Sequence, residues 1–307
     1  MAQATKTAAT PQHPARSSRR GALWLPGVAW LFVRRYPALP AGILLLLVVT
    51  AIFAPLIAPV DPFKSDLLAR NTPPWGFPEG SSRHILGGDQ VGRDILSRIT
   101  YGARVSAMVM AVSVVTGVGI GTTMGLVAGY FGGQVDEVIM RIVDVWAALP
   151  YIMVALVMVV VLGQKFWVLI LLLALLSWPG AVRLVRAETL SLKTRDYVAQ
   201  ARIAGASNVR IMVRHILPGV LNLVVVSATL SMGTIILTEA TLSFLGAGIP
   251  PPNPSWGAMI SEGRRYLNDA WWVATIPGLC IFLVVMAGNF FGDWLRDHFD
   301  PRLRQLR

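Results

Sequence analysis

Six apolar runs, near residues 38–58, 105–130, 138–162, 165–185, 217–240 and 272–292, constrain this chain more than any other feature. A hydrocarbon layer of about 30 Å takes roughly 20 apolar residues per helix, and each run is long enough. With 54% of its 307 residues apolar and 14% charged, the chain lies outside the balance of a soluble globular domain. Only helices or closed barrels satisfy their backbone in lipid. Runs of this length predict an all-α integral membrane protein with six transmembrane helices.

The formal charge of +11 does not point to nucleic acid, because the Lys and Arg residues lie in tails and loops rather than along one soluble face. Six spans put both termini on one side. That side holds Lys6, Arg16, Arg19, Arg20, Arg34, Arg35, Arg141, the basic residues between 183 and 214, and those of the C-terminal tail, two thirds of the total. The positive-inside rule therefore places both termini in the cytoplasm.

The chain divides accordingly. Residues 1–21 are a polar tail expected to be disordered, and a cleaved signal peptide fits poorly. Residues 22–36 are too short to span, are bracketed by paired arginines, and carry Trp24 and Trp30, which suits an interfacial helix; the alternative is part of a long first span broken at Pro37 and Pro40. The first span covers 37–60, an ordered extracytoplasmic loop subdomain 61–104, a five-helix core 105–292, and a cytoplasmic tail 293–307. Turn residues and paired charges in 84–98, and the prolines, Trp256 and Trp271-Trp272 of 246–271, make these two loops an outer mouth.

Gly117, Gly121, Gly125 and Gly129 recur every four residues, which puts them on one face of the second span and lets another backbone approach closely. A phosphate-binding loop would need a preceding strand and a following Lys, and has neither. Asp144 and Glu239 are the clearest acids inside spans, where ionisable groups mark pathways or internal pairs. Glu239 either lines a passage or pairs with Arg264 or Arg265; Asp144 reads better as structural. The histidines are scattered over separate loops, so no metal site is expected. No nucleophile motif points to an enzyme, and the single Cys280 allows no internal disulfide.

The segment 197–218 stands apart, as a polar stretch between two long apolar runs. Val198, Ala201, Val209, Met212 and Ile216 recur at near-helical spacing, Gly205 interrupts them, and Pro218 opens the next span, which predicts two short helices at an angle within 197–215. Its small residues form a low knuckle suited to a groove on a soluble partner. A basic helix held on anionic lipid through Arg202, Arg210 and Arg214 fits the same residues. Physics alone leaves both open.

Ala199-Gln-Ala-x-x-x-Gly205 followed by His215-Ile-Leu-Pro218 resembles the EAA loop of ABC-importer permeases, whose pattern is Glu-Ala-Ala, then Gly, then Ile-x-Leu-Pro. Ala201, Gly205, Leu217 and Pro218 match, while Ala199 stands where Glu is usual and Gln200 where Ala is usual. The likeness extends through 54–62, 86–98, 242–246, 254–257 and 292–302, which resemble the dipeptide/oligopeptide/nickel permease family, C-subunit type. It implies a type I ABC-importer permease fold and a non-catalytic subunit paired with a second homologous permease of B type. Two cytoplasmic ATPases carrying ATP and magnesium, an extracytoplasmic solute-binding protein and a peptide substrate complete the system it implies. On this resemblance Ala199, Gln200, Ala201, Arg202, Gly205, Ala206, Leu217 and Pro218 couple to the ATPases. Asp89, Arg93, Asp94, Trp256, Arg264 and Arg265 face the binding protein. Nickel or another small solute is the alternative cargo; a self-sufficient channel or carrier is the competing class.

Overall fold

Gly117, Gly121, Gly125 and Gly129 all meet one neighbouring helix, and the bundle is assembled on that contact. The computed structural model describes residues 37–299. The expected tail 1–21, the interfacial helix 22–36 and the end of the C-terminal tail lie outside the described residues. The helices are α1 (Ala38–Ile57), α2 (Ile95–Phe131), α3 (Gly133–Ala148), α4 (Tyr151–Leu162), α5 (Phe166–Leu192), α6 (Asp196–Ile203), α7 (Asn208–Phe244), α8 (Trp256–Gly263) and α9 (Trp272–Phe299). An isolated bridge between Gly88 and Asp94 accompanies them.

A Cβ at Gly117 would stand 2.7 Å from the Ala174 carbonyl oxygen, at Gly121 2.4 Å from Ala181 Cβ, at Gly125 2.7 Å from the Val182 carbonyl oxygen, and at Gly129 2.7 Å from Thr189 Cβ. The partners climb α5 in step with the glycines, so α2 and α5 run parallel with their backbones in near contact. Parallel helices require the chain to return between them. That return is α3 and α4, bent by 82° to each other.

The run expected as a span over 138–162 is this bent pair, broken between Ala148 and Tyr151. Pro150 has no N–H to donate, and Leu149 before it is extended (φ −81°, ψ 131°), so the helix stops there. The two halves also differ in character. Asp136, Glu137, Arg141 and Asp144 punctuate α3, whereas α4 is wholly apolar apart from Tyr151. Asp136 accepts two hydrogen bonds from Arg186 (2.5 and 2.6 Å), and the Trp146 indole donates to the Leu175 carbonyl, so α3 is fastened to α5.

Other boundaries move as well. Helix α2 begins at Ile95, inside the expected loop, and at 37 residues is about 55 Å long, well beyond the hydrocarbon layer. Helix α9 continues to Phe299, into the expected tail.

One end of the bundle is closed by the segment 58–94 together with α8, which we call the cap. Asp94 caps α2, its Oδ2 accepting from the Ser97 amide (2.7 Å) and hydroxyl (2.8 Å), while Oδ1 lies 3.0 Å from His84 Nδ1. Asp89 accepts from Arg93 Nε (2.6 Å) and Arg98 Nη1 (2.5 Å); Glu262 of α8 accepts from Arg93 Nη2 and Arg98 Nη1, both at 2.8 Å, and from Gln90. Arg98 is 2% exposed and Asp89 fully buried, so each charge relies on the others for the hydration it has lost. Trp256 and Trp272 donate their indole N–H groups to the carbonyls of Ile99 and Gly88, sealing α8 and α9 to the same structure.

Burial acting on Glu262 would raise its carboxyl, but the hydrogen bond and charge of Arg98, then the charge of Arg93 and the Gln90 amide, outweigh it and hold the group below its ordinary value. A depressed carboxyl stabilises the fold fully above its unfolded pKa, about 4.3 for Glu, and the contribution is lost as pH falls through the folded value. Two expectations follow for the bundle.

Arg98→Ala leaves buried Asp89 without its main partner and destabilises the cap by about 3–5 kcal/mol. Limited proteolysis within 58–94 should accelerate, as it should in wild type below about pH 4, whereas exposed Arg264→Ala should resist like wild type. Equal protection of all three would remove the cluster's structural role. Gly121→Leu forces α2 from α5 at a cost of about 1–3 kcal/mol, lowering the thermal midpoint read by labelling of Cys280; Gly119→Leu, whose Cβ meets nothing within 4 Å, should not.

Candidate functional site: an exposed knob on a buried root

The segment between α5 and α7 forms a knob at the end of the bundle opposite the cap. Val198 of α6 is completely buried and shares an apolar cluster with Leu126 and Tyr130 of α2, Val185 of α5, and Ile211, Met212, Ile216 and Val220 of α7. Burying each large aliphatic side chain stabilises by about 1.5–3 kcal/mol, so the knob is rooted on the three helices that end beneath it. Polar contacts add to this root. Tyr130 donates its hydroxyl to Asn208 Oδ1 (2.9 Å), the Arg202 guanidinium stands 5.9 Å from the Tyr130 ring centroid, and Lys193 Nζ caps the Gly129 carbonyl (2.7 Å).

Gly205 ends α6. Its φ of +78° is left-handed, its N–H donates to the Arg202 carbonyl, and the Ala206 N–H reaches back to Ala201, which together make a Schellman turn. Ser207 then caps the next helix, accepting from the Arg210 amide. Before Pro218 the helix widens. The Leu217 N–H bonds five residues back to Met212, a π turn that makes room for a proline ring.

Ala199, Gln200, Arg202 and Gly205 are exposed, Ala201, Ala206 and Leu217 half-buried, and Pro218 exposed at the edge of the root. A Cβ at Gly205 would meet nothing within 4 Å of this chain. Val209, which shares the near-helical spacing of Val198, Met212 and Ile216, is 65% exposed, whereas Ile211 is in the root. The cause is the turn at Gly205 to Ser207, which restarts the helical phase. Ile203, at 87% exposed, and Val213 were not singled out by spacing, yet with Val209 they give the knob an apolar rim. Bare apolar side chains beside Arg202, Arg210 and Arg214 suit a partner's groove.

The other sequence candidates separate. Asp89, Asp94 and Trp256 are buried in the cap, so the expectation that they face a partner is corrected: charged and aromatic residues in a turn-rich loop resembled surface, but they close the cap on itself. Arg93 is mostly buried in the same cluster, whereas Arg264 and Arg265 are exposed. Glu239 pairs with neither of them. It is buried, accepts from the Ser243 hydroxyl (2.8 Å), and through Ser243 approaches Ser255. Arg264 instead lies 4.8 Å over the Phe244 ring. Asp144 accepts from Arg183 (2.8 Å) in an exposed pair between α3 and α5.

Known proteins carry the same architecture. Residues 121–305, which include the whole knob, match the family of binding-protein-dependent transport system inner membrane components, and residues 39–74 match the N-terminal transmembrane domain of oligopeptide transport permease C. The dipeptide transport system permease protein DppC of Haemophilus influenzae is 40% identical over 278 residues, 90% of this chain and 94% of the relative. The di/tripeptide transport system permease protein DppC of Pseudomonas aeruginosa is 42% identical over 85% of this chain and 86% of the relative. The glutathione transport system permease protein GsiD of Pectobacterium atrosepticum is 44% identical over 89% of each.

In fold, the chain is similar to the inward-facing MetNI methionine ABC transporter, with a TM-score of 0.50 at 21% identity over 64% of this chain and 96% of that one. The helical bundle and this likeness are those of a type I ABC-importer permease. The chain belongs to the binding-protein-dependent transport system inner membrane components, and is a multi-pass permease subunit of an ATP-binding-cassette importer.

Proposed function

We propose that this chain forms one half of a passage for di- or oligopeptides and is driven through the knob at 196–216. The observation that carries the reading is the knob itself, a bare apolar and basic surface on a root shared by α2, α5 and α7. Peptide cargo is supported by the similarity to dipeptide, di/tripeptide and glutathione permease proteins over most of the chain. The other half is a second, homologous permease. Two cytoplasmic ATPase subunits bind ATP and magnesium and grip the knob, and an extracytoplasmic binding protein delivers substrate at the cap, where Arg264 and Arg265 are available to it. Both termini are then cytoplasmic. Closure of the ATPases presses on α6, and the packed root passes that motion to α2, α5 and α7, turning the bundle between inward- and outward-open states.

Gly205 separates docking from folding. In the reconstituted importer, Gly205→Glu should leave membrane insertion intact while substrate-stimulated ATPase activity falls to the unstimulated rate. Gly205→Asn, which enters the left-handed region at small cost, should keep most of the stimulation. Retained coupling in the Glu variant overturns the docking role. Uptake of a labelled dipeptide by the reconstituted complex tests the cargo, and ATP-independent flux through this chain alone would instead favour a self-sufficient carrier.

A further inference from the structure

A cavity of about 370 Å³ opens at the cap end, between the loop after α1, the first turns of α2, the start of α5 and the turn before α8. Phe63, Tyr101 and Phe166 give it aromatic walls, and Arg104 and Asn253 supply its polar groups, with Pro254 beside them. Phe63 and Tyr101 meet edge to face with centroids 6.2 Å apart. Tyr101 and Arg104 lie three residues apart on α2 and so share a face.

Arg104 is the notable member. Arg93 and Arg98 on the same stretch of chain are both consumed by Asp89 and Glu262, whereas Arg104 has no ion pair or hydrogen bond among the described residues. No acid lines the cavity. The nearest in sequence, Asp61, spends its Oδ1 on the Phe63 amide at 2.9 Å. Exposed Lys64 and Lys165 follow and precede the wall residues Phe63 and Phe166 in sequence. Arg104 is itself exposed, at the mouth of the cavity beside the half-buried Tyr101 and Phe166 rings. A guanidinium with no carboxylate partner at the mouth of an aromatic-walled cavity is a receptor for a planar anion that carries apolar groups. A carboxylate at the end of a short peptide is such a group, and this volume holds one or two residues.

We propose that this cavity is a binding station at the outer end of the passage, where Arg104 holds the C-terminal carboxylate of a peptide and the Phe63, Tyr101 and Phe166 rings receive its last side chain. The inference rests on the peptide reading above and adds the subsite that would recognise the cargo within the permease.

The full importer, reconstituted with its binding protein, is assayed with a dipeptide and with that dipeptide's C-terminal amide. Arg104→Gln should raise KM for the free acid about ten- to a hundredfold, the loss expected for a charge-assisted hydrogen bond, and change KM for the amide by less than about twofold. Arg104→Lys should recover part of the difference. The binding protein's own preference is common to wild type and variant and cancels in the comparison. A second readout needs no delivery: on the purified complex, the dipeptide but not its amide should slow phenylglyoxal modification of Arg104, followed by mass spectrometry.

Equal KM shifts for acid and amide, or no shift for either, overturn the proposal. So does protection of Arg104 by anionic phospholipid and not by dipeptide, which would make it a headgroup anchor. Wild-type complex that imports no peptide at all sinks the peptide reading itself; peptide import with an indifferent Arg104 leaves that reading standing and removes only the station.

Discussion

The near contact of α2 with α5 along four glycines is the constraint on which the rest of the bundle depends. Two backbones that close and parallel act as one body, because side chains on either cannot yield without opening the seam. The chain must then cross back between them, which gives the bent pair α3 and α4 its place. The seam ends at Gly129 against Thr189, and the next contact along it is Lys193 on the Gly129 carbonyl, followed by the seat of Val198. The knob therefore begins where the rigid pair stops. At its other end the same α2 rod carries Arg98 into the cap. One helix thus reaches both the knob and the cap.

Rigidity at the root and bareness at the surface divide the knob between two tasks. Val198, Ile211 and Ile216 are fully buried, so a force on α6 is borne by the ends of α2, α5 and α7 rather than absorbed in a loop. Packed interiors respond by moving between discrete arrangements, not by bending continuously. The exposed Ile203, Val209 and Val213 contribute nothing to that root. On the docking reading proposed for the knob, their burial comes with association, where removing apolar area from water stabilises a complex.

What could be read from the residues alone follows the range of the interactions concerned. The spans, the glycine stripe and the turn at Gly205 depend on spacing within one helix or one turn, and spacing is visible. The bend had a local sign too: Pro150 sits where charged α3 gives way to apolar α4, and weight given to total length hid it. The cap was opaque for another reason. Arg93 and Arg98 find Glu262 more than 160 residues further on, and no local pattern distinguishes a charge destined for burial from a solvated one. Val209 shares the spacing of the root residues but not their burial, because the turn at Gly205 resets the helical period. Arg104 drew no notice in the sequence, since its distinction is the absence of a carboxylate that its neighbours possess.

The departure from the family pattern at Ala199 can now be placed in the knob's geometry. The usual Glu at that position would stand on the exposed side of α6, where Ala199 offers no charge. Asp196 lies three residues earlier, also exposed, and three residues is the spacing of neighbours on one helix face. A carboxylate therefore persists on the knob, one turn nearer the N-terminus of α6, where the helix dipole favours it. Beyond it the surface is Tyr197, Ile203 and Val209 with Arg202, Arg210 and Arg214. An exposed ion pair between proteins contributes at most about 1 kcal/mol, less than burial of one large aliphatic residue. On the docking reading proposed above, moving the carboxylate by one turn alters the smaller of these contributions, and the exposed aliphatic side chains Ile203, Val209 and Val213 supply the larger.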